Sequence, residues 1–353
     1  MINNKNLLFS LGRPFSPLYS WIMKLRAAFY KKEVLRSTRM ETPVISVGNL
    51  TMGGTGKTPL VCYLAKLLRN QGLRPAIISR GYGGSTKNRV NVVSNGKDLF
   101  LDANEAGDEP RLLAELLPGV PVLTGIVRAL PCRHAVMEFD CNVLILDDGF
   151  QHLGVQRDID LVLFHGDELA GNSRIFPGGD LREPVSALER ATAFVLTNIT
   201  PENNERNQRF AHLLKERFPQ KPVFFICTST QFFRTQESAT PVSVTELPQP
   251  LHGFCGIGKP DTFHHDLTAK GLDICSFTSY KDHQTYPPKL LNAISQTALQ
   301  QGARGLVTTE KDLVKIGNSP LPLPLFALQL QITPEPQLDQ FVLDHLKSLH
   351  ETP

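Results

Sequence analysis

Short apolar runs of β type alternate along this chain with longer stretches whose apolar residues recur every three or four positions. Residues 44–47 (Val-Ile-Ser-Val) precede Leu60-Val61-Cys62-Tyr63-Leu64-Ala65-Lys66-Leu67-Leu68, whose spacing predicts a helix over 58–70 that stops near Gly72. Residues 76–79 read as a second strand. Residues 89–101, centred on Asn95-Gly96, read as a β-hairpin insertion, and 109–117 as a helix closed by Pro118-Gly119. Strands at 122–124, 143–146, 161–164, 194–197 and near 223–227 continue the alternation. Such a pattern predicts an α/β fold, a mostly parallel sheet with helices on both faces. Residues 228–250 are polar, with three prolines, and read as a linker. Strand patterns at 251–254, 274–277, 305–308 and 325–332, with helices at 261–270 and 288–301, predict a smaller second α/β unit. The expected division is an arm over 1–40, a first domain over 41–228, a linker over 229–250 and a second domain over 251–353.

The arm changes this picture through its charge. Residues 1–40 hold eight Lys/Arg and one acid, Glu33, while the rest of the chain holds 29 basic and 33 acidic residues. A mildly acidic body with a basic arm is unlike a nucleic-acid-binding domain with a distributed basic face. Leu18, Ile22, Leu25 and Phe29 fall on one helical face beside Trp21, the only tryptophan, with Lys24, Arg26, Lys31 and Lys32 available for other faces. Either this amphipathic helix lies in a membrane interface, where anionic headgroups attract its cations, or it packs on the domain with its basic side solvated. No stretch approaches 18 uncharged apolar residues, so a spanning helix is not expected. Six cysteines without C-x-x-C pairing read as reduced thiols rather than a zinc or disulfide framework.

The strongest chemical signal lies between the first strand and the first long helix: Thr51-Met52-Gly53-Gly54-Thr55-Gly56-Lys57-Thr58. Strand, glycine-rich turn, Lys-Thr and helix in that order make a phosphate-binding loop. Its glycines let backbone N–H groups face a polyphosphate, Lys57 reaches the β- and γ-phosphates, and the Thr58 hydroxyl suits Mg²⁺. Thr51 stands where the strict motif has glycine. The run at 143–146 ends in Asp147-Asp148-Gly149-Phe150-Gln151-His152, placing carboxylates at the end of a buried strand. In such sheets ligands bind at that edge, and the acids there assist Mg²⁺.

Other candidates carry two readings each. Asp108 opens the helix pattern at 109–117, as an N-cap or as a general base. Arg80 and Tyr82 follow a strand, in a plain turn or facing a substrate. Arg182 and Glu183 sit in a polar turn, as a surface ion pair or as a phosphate contact and a metal ligand. His283 lies in a loop after a strand, exposed or catalytic. Thr197-Asn198-Ile199-Thr200 and Thr309-Glu310-Lys311-Asp312 both lack N-K-x-D spacing, which disfavours a GTPase switch.

V-G-N-L-T-M-G-G-T-G-K-T-P (47–59), I-S-R-G-Y-G (78–83), G-D-E-P (107–110), L-D-D-G-F-Q-H (146–152), P-G-G-D-L-R-E-P (177–184), D-H (282–283) and T-E-K-D (309–312) occur in that order. Over about residues 10–330 this set resembles the tetraacyldisaccharide 4′-kinase family, the lipid A 4′-kinases of Gram-negative bacteria. The resemblance implies transfer of the ATP γ-phosphate to the 4′-hydroxyl of a tetraacylated glucosamine disaccharide. It also implies Mg²⁺ and peripheral attachment to the cytoplasmic face of the inner membrane, with no obligate protein partner inferred. Thr51 matches the family's own loop. By motif, Asp108 would activate the hydroxyl with His283 from the second domain. Asp147, Asp148 and Glu183 would organise Mg²⁺ with Thr58, and Arg80, Tyr82, His152 and Arg182 would contact substrate or nucleotide. The alternative of a membrane-associated P-loop ATPase switch is weakened by Met52, which stands where such proteins often carry a second lysine.

Overall fold

A computed structural model describes residues 4–235 and 241–351. Thirteen strands join one mixed sheet: β1 (Val44–Asn49), β2 (Pro75–Ser79), β3 (Asn91–Ser94), β4 (Val122–Thr124), β5 (Val143–Asp147), β6 (Ile159–His165), β7 (Ala193–Thr197), β8 (Val223–Thr235), β9 (Val242–Ser243), β10 (Leu251–Cys255), β11 (Ile274–Ser279), β12 (Gly305–Thr309) and β13 (Leu325–Pro334). The strand order is β11-β10-β12-β13-β8-β7-β6-β1-β5-β2-β4-β3, with β9 paired to β8 outside that path. From β8 to β4 every pairing is parallel, as it is from β11 to β13. The exceptions are β3 on β4, β9 on β8, and the junction of β8 with β13, which are antiparallel. Fully buried Val/Ile/Leu runs such as β1 and β5 fit strands covered on both faces.

The helices are α1 (Asn4–Gly12), α2 (Ser16–Lys31), α3 (Lys57–Asn70), α4 (Ala103–Ala106), α5 (Asp108–Leu116), α6 (Ala129–Phe139), α7 (Asn204–Arg217), α8 (Pro260–Ala269), α9 (Pro288–Gln300), α10 (Glu310–Ile316) and α11 (Pro336–Glu351). Leu60, Leu64 and Leu68 of α3 lie in one core with Ile45, Ile77 and Ile145 of the sheet. Phe164, Phe194, Ala211 and Leu214 belong to a second core, which includes the buried face of α7. Helices α1, α4, α6, α7, α10 and α11 have no counterpart in the pattern reading, for reasons visible in two of them. The buried face of α7 includes Asn207, whose amide donates to the Asn203 and Gly166 carbonyls, so its apolar stripe is too short to register. The start of α6 has no side-chain cap and carries Pro131 in its first turn.

Two expected boundaries differ. Residues 229–235 of the expected linker are strand, because β8 continues to Thr235 and pairs with β13 from Ile226–Pro334 to Thr235–Phe326. Phe233 of that ribbon is fully buried, and residues 236–240 lie outside the described residues. The last helix, within the expected second domain, instead packs on the first. Leu338, Val342 and Leu346 of α11 share the core of α3 and β1, and Tyr63 of α3 donates its hydroxyl to Asp339 at 2.8 Å.

The arm meets the body through polar contacts. The Ser16 hydroxyl donates to the Ile175 carbonyl (2.9 Å), the Tyr19 hydroxyl to the Arg182 carbonyl (3.2 Å) and Arg26 Nη2 to the Gln151 carbonyl (3.1 Å). No residue of α2 is buried, and Leu18, Trp21, Ile22, Leu25 and Phe29 stay 36–60% exposed. The reading of an ordinary packed first helix therefore fails for the stripe, which faces away from the core. No described helix is long and apolar enough to cross a membrane.

Candidate active site

The loop after β1 is shaped by close approaches. A side chain at Gly48 would strike Phe150, and Gly53 and Gly56 sit at φ +124° and +78°, where only glycine is unstrained. Gly54 faces open space, so the backbone there is accessible to a phosphate. Thr51 is buried because its backbone bridges Leu181, and the Met52 N–H donates to the Asp180 carbonyl at 2.7 Å. The Thr197 hydroxyl at the end of β7 donates to the Thr55 carbonyl (2.9 Å), pinning the loop from the other side. Lys57 Nζ donates to Asn49 Oδ1 (3.3 Å) and lies 3.5 Å from Asp148 Oδ1. Thr58 follows in the first turn of α3.

Asp147 ends β5 in full burial. Its Oδ2 accepts the Ser79 hydroxyl at 3.2 Å, while Oδ1 has no hydrogen-bond partner among the described residues. Burial, then the negative charges of Glu109 and Asp148, push its pKa up to about 6. Burial also pushes Asp148 upward, but Lys57 and Arg182 outweigh it and hold that carboxyl below its ordinary value. Arg182 Nη1 reaches both Asp148 oxygens at 2.8 and 2.9 Å, and the buried Arg128 donates to the Asp148 carbonyl at 3.0 Å. Adjacent carboxylates thus divide: Asp148 is paired, whereas Asp147 offers a buried oxygen with nothing bound to it. A carboxylate and a hydroxyl such as Thr58 are the hard oxygen donors that Mg²⁺ takes, so the residues present fit that ion.

Across the loop, α5 begins at Asp108. The N-cap is Gly107 (φ +93°) rather than Asp108, so the capping alternative does not hold. Instead, Asp108 Oδ2 lies 3.1 Å from His283 Nδ1, and His283 follows β11 at the far end of the sheet. Lys315 Nζ of α10 lies 3.7 Å from the same oxygen, and Glu109 pairs with Lys311. Tyr82 is 78% exposed with its ring 6.4 Å from that of His283, and Arg80 is exposed. Burial, with the charges of Arg128, Arg157, Arg26 and Arg80, pushes His152 down to about 4, so its imidazole is neutral at pH 7.

Most of the expected residues converge, with one exception. Glu183 is buried, and its carboxylate goes to Arg190 and lies 3.9 Å from Arg26. In this structure it serves guanidinium groups of the arm and the turn, and no contact to Thr58 or Asp147 is present among the described residues. Arg128, Glu109 and Lys315 carry no role in the sequence reading. Arg128 follows a strand at the nucleotide edge, a signal that was available; Lys315 lies 207 residues from Asp108, and nothing in the sequence links them.

A family model described as tetraacyldisaccharide-1-P 4′-kinase matches residues 8–347. The chain belongs to the tetraacyldisaccharide 4′-kinase family. A member from Desulfotalea psychrophila is 45% identical over 99% of this chain and 100% of its own length. One from Syntrophus aciditrophicus is 39% identical, over 94% of this chain and 92% of its own. A crystal structure of the Aquifex aeolicus member with ATP superposes with TM-score 0.76 at 32% identity, covering 94% of this chain and 98% of that one. Membership of the family and the ATP-bound relative agree with ATP as the nucleotide of this chain.

Proposed function

We propose that this protein transfers the γ-phosphate of ATP to the 4′-hydroxyl of a tetraacylated glucosamine disaccharide 1-phosphate. The observation that carries this reading is Asp108, held at the lip of the phosphate loop by His283 from the other half of the sheet. A hydrolytic switch has no need of a carboxylate–imidazole pair poised for an alcohol, whereas a kinase acting on a sugar hydroxyl does.

In this reading Lys57 and the loop amides bind and neutralise the β- and γ-phosphates. Thr58 and Asp147 would hold Mg²⁺, which when bound neutralises phosphate charge. Asp108 orients the acceptor hydroxyl, and the Asp108–His283 pair takes its proton. Arg182 and Arg128 fix Asp148 beside Lys57, and Arg80, Tyr82 and the neutral His152 offer contacts for the sugar. The apolar stripe of α2, flanked by basic residues, rests on the cytoplasmic face of the inner membrane and keeps the enzyme where its lipid acceptor is. The two halves of the sheet act as separate bodies joined by the β8–β13 ribbon, and their approach completes the site.

Purified protein incubated with γ-labelled ATP and the tetraacyldisaccharide 1-phosphate tests this. Label at the 4′ position is the expected result. ATP hydrolysis that proceeds equally without the lipid, or phosphate at another position, overturns the reading in favour of a switch or a different kinase.

A further inference from the structure

Asp108 Oδ2 is approached by two nitrogen groups of very different character. His283 is 59% exposed, sits in a loop at φ +58°, and has its ring edge toward the equally open Tyr82. Lys315 is only 7% exposed. Its Nζ lies 3.0 Å from Asp312 Oδ1 and 5.8 Å from the centre of the Tyr286 ring. Asp312 is itself fully buried, and its Oδ2 is bound by the Gly256 N–H (2.9 Å) and the Thr309 hydroxyl (2.8 Å). The ammonium is therefore locked from behind by a fixed acid, with the Asp108 oxygen 3.7 Å in front of it. A buried ammonium does not leave its partners without a large desolvation cost.

The geometry points to Lys315 as a positioning residue for the proposed phosphoryl transfer. It acts through Asp108, holding its Oδ2 turned inward, so that the second oxygen faces the acceptor hydroxyl. His283 cannot supply this, because its side chain is mostly exposed and is not locked from behind by a buried partner. The other charged groups around the start of α5 are Lys311 of α10, which pairs with Glu109, and Lys57 of α3, which faces Glu109 and Asp148. Lys315 is thus the buried basic group in direct line with Asp108, and it arrives from the same half of the sheet as His283. The inference rests on the kinase reading above.

The test compares Lys315→Met and Lys315→Arg with the full-length wild type. For Lys315→Met, kcat is expected to fall by about 10- to 100-fold, with KM for ATP within about twofold. Lys315→Arg, which returns a cation to the same place, is expected to recover most of that kcat. No loss of kcat, a loss matched by a rise in KM for ATP, or an Arg variant as slow as the Met variant overturns the proposal. In parallel, the NMR signal of the Asp108 carboxyl carbon should move in Lys315→Met, because the ammonium beside its Oδ2 has gone; an unmoved signal also overturns the proposal. That measurement does not depend on the acceptor. A wild type that leaves the disaccharide unphosphorylated sinks the function and still leaves Lys315 to be decided by the Asp108 signal.

Discussion

Replacing Asp147 with Asn should make the nucleotide-free protein more stable while removing its activity. The carboxyl is fully buried, one oxygen lacks any partner, and its pKa stands at about 6 against an ordinary 3.8. Because the folded value is raised, the folded protein holds the proton more tightly than the unfolded chain. Stability is then greatest below the unfolded value and is lost as pH rises through the folded one. The cost of ionising Asp147 is about 3 kcal/mol at pH 8 and about 1.6 kcal/mol at pH 5. Asn carries no charge but leaves an unpaired N–H in the same place, which costs about 1–3 kcal/mol, so the net gain at pH 8 is about 0–2 kcal/mol. Urea unfolding of both proteins, nucleotide-free and at pH 8 and pH 5, measures this. The gain should be larger at pH 8 by about 1 kcal/mol or more. Turnover with Mg²⁺ and ATP should fall by about 100-fold or more. An Asn variant less stable than wild type at pH 8, or a difference that ignores pH, would refute the reasoning.

Three further outcomes are expected. Asp108→Ala should lower kcat by about 10²- to 10⁴-fold with little change in KM for ATP, and His283→Ala in that background should add little, because the two act as one unit; additive losses in steady-state kinetics would contradict the pairing. The fluorescence of Trp21, the only tryptophan and 60% exposed, should shift to the blue on adding vesicles rich in anionic lipid and be quenched by brominated acyl chains. An unchanged spectrum removes the membrane role of the arm. His152, held down at about 4, should titrate below pH 5 by NMR; its raised proton affinity in the unfolded chain means acid destabilises the protein as pH falls below 6.5, and a midpoint near 6.5 would count against the neutral assignment.

The parts of the fold legible in the sequence were those whose burial is mostly apolar. The strands β1, β5, β6 and β7, and the helix α3, announce themselves because most of their buried positions are Val, Ile, Leu, Phe or Ala, despite buried polar residues such as Ser46 and Asp160. Where burial is carried by a hydrogen-bonded amide, as at Asn207, or by a two-stranded ribbon with Thr, Ser and Gln positions, as along β8, the pattern is silent or misleads. The site divides the same way. The phosphate loop and Asp147-Asp148 need a local order of residues, which a sequence displays. The roles of Glu183 and Lys315 depend on partners contributed by distant segments: Arg26 for the first and Asp108 for the second.

The packing of α11 on α3 and β1 has a consequence for how the chain is made. The ribosome releases the phosphate-loop strand long before Leu338, Val342 and Leu346 exist, so the nucleotide half emerges with a face of its core open to water. Everything from β9 to β12 is then an insertion in an unfinished body, which can close only once α11 has left the exit tunnel. A chain ended at Pro334 should therefore bind apolar dyes and yield to protease at α3 even though all its loop residues are present. Vectorial synthesis thus delays a completed nucleotide-side core until α11, and with it the segment that carries His283, has been made.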